Sequence, residues 1–252
     1  MITIKSKLDR FKGCLLGLAV GDALGTTNEF KRRGTFPLVE DIVGGGPFKL
    51  NPGEWTDDTS MALCLATSLI GVGGFDAKDQ MQRYIRWRDT GYLSSNGECF
   101  DIGNTIRRAL INYEQTGNPY SGPTDPNSAG NGSIMRLAPV VMFYYPDRQL
   151  ALNYCSESSK TTHGAAECLD ACRLLGDMLF RALDDEAKSE VLFKSDRNLV
   201  ETRSIQSIAG GNYREKDEAL IKGSGYVVES LEAAVWCFWA TDSFEQAVRR
   251  LI

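Results

Sequence analysis

Apolar residues in this 252-residue chain recur at helical spacings of three and four, with almost no neat apolar/polar alternation, and that period decides what it can fold into. Leu8, Phe11, Leu15 and Leu18, with Asp22, fall on one stripe of a first helix, and Met61, Leu65 and Leu69 lie on one side of another that starts at Asp57. Residues three and four apart share a helix face, whereas a strand turns every second residue the same way. Further helices fit Ala77 to Thr90, Asp101 to Glu114, His163 to Leu183 and Glu229 to Ala240. Alternating runs rich in β-branched residues are nearly absent. The pattern predicts an all-α fold, a single compact helical domain over residues 1–252 without internal repeats. A chain of this length with 42% hydrophobic residues can bury a full core.

Between the helices, Gly44-Gly45-Gly46-Pro47 and Pro52-Gly53 read as loop, as does the Pro/Gly/Asn/Ser-rich stretch from Gly117 to Gly132. Long connections in compact domains are often functional. Asp184 to Lys222 has few apolar anchors and is expected to form a surface excursion. Phe244, Val248 and Leu251 continue a helical stripe, but Leu251-Ile252 brings no Gly or polar stop. The expectation is that sequence is missing beyond this edge or that a second chain covers it.

Net charge of −5, with lysines and arginines scattered, lacks the basic footprint that nucleic acid requires. Seven cysteines without a CxxC pair, and a lone histidine, His163, give no zinc site and predict reduced, buried thiols in a cytoplasmic protein. Lys5, Lys7, Arg10 and Lys12 precede an apolar run, but Gly17, Gly21-Asp22 and Asp9 break the signal-peptide pattern. No stretch is long enough to span a bilayer, so no membrane partner is expected.

Thr56-Asp57-Asp58 opens a helix with a hydroxyl and two adjacent carboxylates. Neighbouring carboxylates repel, and solvent, a helix N-terminus or a bound cation must offset that repulsion. Two readings stand: an N-cap with a second acid in the first turn, or oxygen ligands for a hard cation such as Mg²⁺, Mn²⁺ or Ca²⁺. Other small, polar or acidic clusters stand where helices begin or end: Gly21-Asp22-Ala23-Leu24-Gly25 leading to Glu29, Phe100-Asp101-Ile102-Gly103-Asn104-Thr105, Gly130-Asn131-Gly132-Ser133-Ile134-Met135-Arg136, and Thr161-Thr162-His163-Gly164. Singly, each fits a cap or a turn. Jointly they predict a polar basin at one end of a helical bundle.

In this order, together with Phe11-Lys12-Gly13-Cys14-Leu15-Leu16-Gly17, Trp55-Thr56-Asp57-Asp58-Thr59 and Gly225-Tyr226-Val227-Val228-Glu229-Ser230, these segments resemble the ADP-ribosylglycohydrolase family. The dinitrogenase reductase activating glycohydrolase belongs to that group. The resemblance runs through nearly the whole chain and implies a metal-dependent ADP-ribosyl hydrolase. It would cleave the glycosidic bond between ADP-ribose and a protein side chain, arginine in the branch it is most similar to. By the same resemblance, Thr56, Asp57 and Asp58 are metal ligands of a binuclear Mg²⁺ or Mn²⁺ centre, and Glu29 and Asp101 are the catalytic carboxylates. Gly103, Asn131, Gly132, Ser133, Met135 and His163 are implied to line or adjoin an ADP-ribose cleft, so the implied partner is ADP-ribose or an ADP-ribosylated protein.

The family draws its remaining metal ligands from an Asp-x-Asp-Thr or Asp-x-Asp-Ser segment after the helix that here contains Phe244 to Leu251, and residues 1–252 end before it. Three ligands and Glu29 are too few for two hard cations. The rival expectation is a catalytically inactive member that binds ADP-ribose or contacts a protein partner. A phosphate-binding nucleotide module is a weaker third, because neither Gly44–Gly46 nor Gly71–Gly74 matches a phosphate-loop pattern.

Overall fold

The computed structural model describes residues 6–32, 34–37 and 39–251, so Lys5, Ile252 and the side chain of Leu251 lie outside the description. Eleven α-helices occur among these residues, with two isolated β-bridges and no strand. The all-α reading holds, and no helix is long and apolar enough to cross a membrane.

Helix α1 (Lys7–Gly25) begins at a capping box, in which Ser6 Oγ accepts from the Asp9 amide and Asp9 accepts from the Ser6 amide. It ends in a 3₁₀ turn, Thr26–Asn28. A loop to residue 56 follows, folded on itself by the Gly45–Leu50 bridge. Then come α2 (Asp57–Val72) and α3 (Ala77–Thr90), the latter capped by Asp76 and stopped at left-handed Gly91. Next are α4 (Asn104–Thr116), α5 (Ala138–Tyr144), α6 (Arg148–Lys160) and α7 (Ala166–Leu183). The chain continues through α8 (Lys188–Phe193), α9 (Arg203–Ala209), α10 (Val227–Ala240) and α11 (Phe244–Leu251).

Two helices carry the packing because each presents apolar side chains on two faces. Helix α7 puts Cys168, Ala171, Leu174 and Met178 into one buried cluster with α9 and α10, and Cys172, Phe180 and Leu183 into another with α2, α5 and α6. Helix α2 gives Leu65 and Leu69 to that second cluster, and Met61 and Cys64 to a third with α3 and α4. All seven thiols are free, and Cys168 and Cys172 are fully buried packing groups.

Five expectations about elements need correction. Asp184 to Lys222 is not a surface excursion: Val191, Leu192, Val200, Ile205, Ile208, Tyr213 and Ile221 are buried in the α7/α9/α10 cluster. Asp101 does not cap α4, which starts at Asn104 behind Gly103, and Asp101 has left-handed backbone, φ 57°. His163 lies before α7, and Asn131–Ser133 is a 3₁₀ turn, not the start of a long helix. Leu8, assigned to the apolar stripe of α1, is exposed.

Candidate active site

The N-terminus of α2 is held from outside by α1. Asp22, near the end of α1, accepts from the Thr56 amide at 3.0 Å and the Thr56 hydroxyl at 2.7 Å. It also accepts from the Thr59 amide at 3.1 Å and the Thr59 hydroxyl at 2.6 Å. An N-cap side chain normally satisfies such amides itself, yet Thr56, the N-cap residue, makes no side-chain cap bond. Its hydroxyl proton is committed to Asp22, which leaves the oxygen lone pairs for another partner. Asp57 and Asp58 are likewise free of capping duty.

Glu29 reaches the same place from the turn after α1. Gly46 fixes this approach: its φ is 65°, and a Cβ there would lie 2.3 Å from the Thr26 carbonyl oxygen. Thr27 Oγ1 adds a 2.9 Å bond to the Gly44 carbonyl. Asp22, Glu29, Thr56 and Asp58 then line one cavity of about 380 Å³ with Phe30, Lys31, Ile221, Cys237 and Arg250.

The carboxyls here lie far from their ordinary titration range. Burial, then the Asp101 charge and a hydrogen bond with Asp101, push Glu29 up to about 8. Burial followed by the charges of Asp22 and Asp101 raises Asp58 to about 7. Burial is also the leading cause for Asp57 and Asp101, both raised, with Asp58 adding to the first and Asp22 to the second. Among the described residues no lysine or arginine is a leading influence on any of the four. Around them Glu29 Oε2, Thr26 Oγ1 and Asn28 Nδ2 are buried without a partner among the described residues. Such orphaned polar atoms and uncompensated charges mark a place prepared for something else.

The residues expected on the substrate side occupy a second layer. The Asn131 amide donates to the Gly225 carbonyl and its side chain to Ser230 Oγ. His163 is buried behind this turn, its Nδ1 2.9 Å from Thr162 Oγ1, and a Cβ on Gly132 would sit 2.8 Å from its Cε1. Burial and the nearby Arg136 drive the His163 pKa down to about 3, so its ring is neutral. Ser133 is buried, Met135 packs against the third cluster, and Gly103 is exposed at the start of α4. None of these six lines the acidic cavity. Their neighbours Thr105 and Gly130 open instead onto a groove of about 820 Å³ shared with Asn127, Ser128, Glu167 and Tyr226.

Two residues stood inside the clusters named from the sequence without a role assigned to them. Asp22 was visible as a polar end to the apolar α1 stripe, but its link to residues 56 and 59 is tertiary. Arg136 is fully buried and donates to Gly132 O, Ser158 O and the Thr161 and Thr162 hydroxyls, which ties the 131–133 turn to the α6–α7 junction. A buried cation without a carboxylate partner leaves no sequence signal beyond the arginine itself.

The family model for ADP-ribosylglycohydrolase matches residues 3–252. The chain belongs to the ADP-ribosylglycohydrolase family. Among curated relatives, an ADP-ribosylarginine hydrolase Tri1 of Pseudomonas putida (strain GB-1) is 45% identical over 98% of this chain and 66% of its own length. An ADP-ribosyl-[dinitrogen reductase] glycohydrolase of Rhodospirillum rubrum is 28% identical over 95% of this chain and 77% of its own. A solved structure described as an ADP-ribosylglycohydrolase-related protein complex superposes with a TM-score of 0.82 at 42% identity, covering 98% of this chain and 81% of that one. This ADP-ribosylglycohydrolase chain thus spans just under two thirds of the length of the Pseudomonas relative.

Proposed function

We propose that this chain carries the site of an ADP-ribosyl hydrolase that releases ADP-ribose from an arginine side chain of a protein. The observation that carries the reading is a cluster of oxygen donors: Thr56, Asp58 and Glu29 line one cavity, and Asp57 and Asp101 lie close enough to shift the carboxyls there by charge and hydrogen bonding. The arginine linkage follows the activity for which the 45% identical relative is named, an ADP-ribosylarginine hydrolase.

These donors fit a hard divalent cation, Mg²⁺ or Mn²⁺, by their chemistry: every one is oxygen, and they crowd negative charge that a bound cation would relieve. Among the described residues no group of three or more His, Cys, Asp or Glu forms a ready-made metal site. The fit is therefore one of donor type, with the Thr56 hydroxyl as a member. Thr56, Asp57 and Asp58 would hold the ion. When bound, it would supply positive charge that orients ribose hydroxyls and makes a nearby water more acidic.

The remaining steps fall to the chain's own carboxyls. The hydrogen bond between Glu29 and Asp101 raises the pKa of Glu29 and lowers that of Asp101, so the pair's proton rests on Glu29 and reaches the leaving group by way of Asp101. Asp101 gives that proton to the leaving guanidine nitrogen, the bond from this nitrogen to ribose C1 breaks, and water adds to C1. Glu29, then ionised, takes the water proton and recharges the pair. The groove beyond Gly130 has the size and polar lining to receive the rest of ADP-ribose.

Incubation with an ADP-ribosyl-arginine peptide and Mn²⁺ or Mg²⁺, with an EDTA control, should release ADP-ribose measurable by chromatography. Release in EDTA would remove the cation from the scheme. Tight ADP-ribose binding with no release under any condition would replace the hydrolase reading with that of a binding protein.

A further inference from the structure

One side chain on the cavity wall has no place in that scheme. Phe30 directly follows Glu29, lines the same cavity and is 78% exposed. Its backbone is left-handed, φ 61°. That conformation strains a residue with a Cβ, and glycine or asparagine would hold it with less strain. A bare aromatic ring in water adds a second cost.

The ring is nevertheless braced. It packs edge-on against Phe48 with centroids 6.3 Å apart, and Phe48 packs on Phe100 at 5.3 Å. Phe100 immediately precedes Asp101, itself left-handed. Three rings therefore join the segment bearing Glu29 to the segment bearing Asp101, and the outermost is presented to solvent beside the carboxyls. The cations of the wall are turned to other partners: Lys31 Nζ donates to Asn28 Oδ1 at 3.1 Å, and Arg250 bonds Glu218 and stacks over Trp236.

An open aromatic face next to an acidic cavity is complementary to a flat organic cation. Resting on the arginine reading, we propose that Phe30 is the platform on which the guanidinium of the modified arginine stacks, which makes it a specificity-determining residue for the leaving group. A planar guanidinium stacks on a ring face with its edge donors still free for carboxylates, whereas a compact ammonium does not. A serine-linked substrate offers nothing for the ring to hold.

The test titrates agmatine, a free guanidinium, and cadaverine, an ammonium of similar length, into wild type, Phe30→Ala and Phe30→Trp by calorimetry. Mg²⁺ is present throughout so that bare carboxylates do not dominate. Wild type should prefer agmatine, Phe30→Ala should lose about 3- to 30-fold in agmatine affinity, and Phe30→Trp should restore it. Equal agmatine binding by Phe30→Ala, or no agmatine preference in wild type, overturns the platform. ADP-ribose is titrated in parallel, so loss of the hydrolase reading shows there without touching the guanidinium result. With active protein, Phe30→Ala should lower kcat/KM on an arginine-linked peptide, and Phe30→Trp should restore it.

Discussion

Asp22 gathers four donors from the first turn of α2, two amides and two hydroxyls, so its worth lies in placing Thr56 as much as in stability. Asp22→Asn keeps the shape but turns an amide NH₂ toward groups that also donate. Urea denaturation should show a loss of about 1–3 kcal/mol, and the rise in Tm on adding Mn²⁺ should shrink. Asp58 predicts the reverse. With EDTA present, Asp58→Asn removes a buried repulsion and should raise Tm, while abolishing the Mn²⁺-dependent rise. The sign of the pH dependence follows from Glu29 at about 8 and Asp58 at about 7, both above their unfolded values. The folded state binds more protons than the unfolded one across that interval, so stability falls as pH rises through it. Above about pH 7 the buried His163 is neutral folded or unfolded, so the slope there belongs to the carboxyls. EDTA-treated protein should lose Tm between about pH 7 and 8, and Asp58→Asn should flatten the loss.

At the scale of elements, the 131–133 turn leans on His163 so closely that only glycine fits at 132. A Cβ would meet Cε1 at 2.8 Å, Nε2 at 3.1 Å and Ile106 Cδ1 at 3.2 Å. Gly132→Ala should cost about 1–3 kcal/mol in a thermal melt and weaken ADP-ribose affinity, because His163 is buried and cannot swing away. Helices bounded by local chemistry were legible in the sequence. Helix α3 runs from Ala77 to Thr90 as expected, because Asp76 caps it and Gly91 ends it. Starts set by tertiary bonds were not. His163 stays out of α7 because its backbone bonds Ser159, and Gly164 donates to Pro123 O across the fold. The acidic cluster was legible as adjacent residues at 57 and 58. Its closure by Glu29 and Asp101 depends on loop paths that periodicity cannot see, and it entered through family resemblance.

For the molecule as a whole, the stretch from residue 184 to 222 looked polar because its apolar residues are sparse and irregularly spaced, yet they enter the largest buried cluster. Ile205→Ala should therefore cost about 2–5 kcal/mol in urea, with one shared transition by fluorescence and circular dichroism if the chain folds as a unit. A surface excursion would show almost no effect. The site itself is split between two kinds of support. Thr56, Asp57 and Asp58 belong to a helix packed into two cores, whereas Glu29 and Phe30 ride on a connection pinned by a few backbone contacts around Gly44 to Leu50. Descendants of such a chain are free to exchange the exposed residues after Glu29 while the helix N-terminus keeps its place. On the proposed hydrolase reading, the side chain set free can drift over evolutionary time while attack stays at the same ribose carbon.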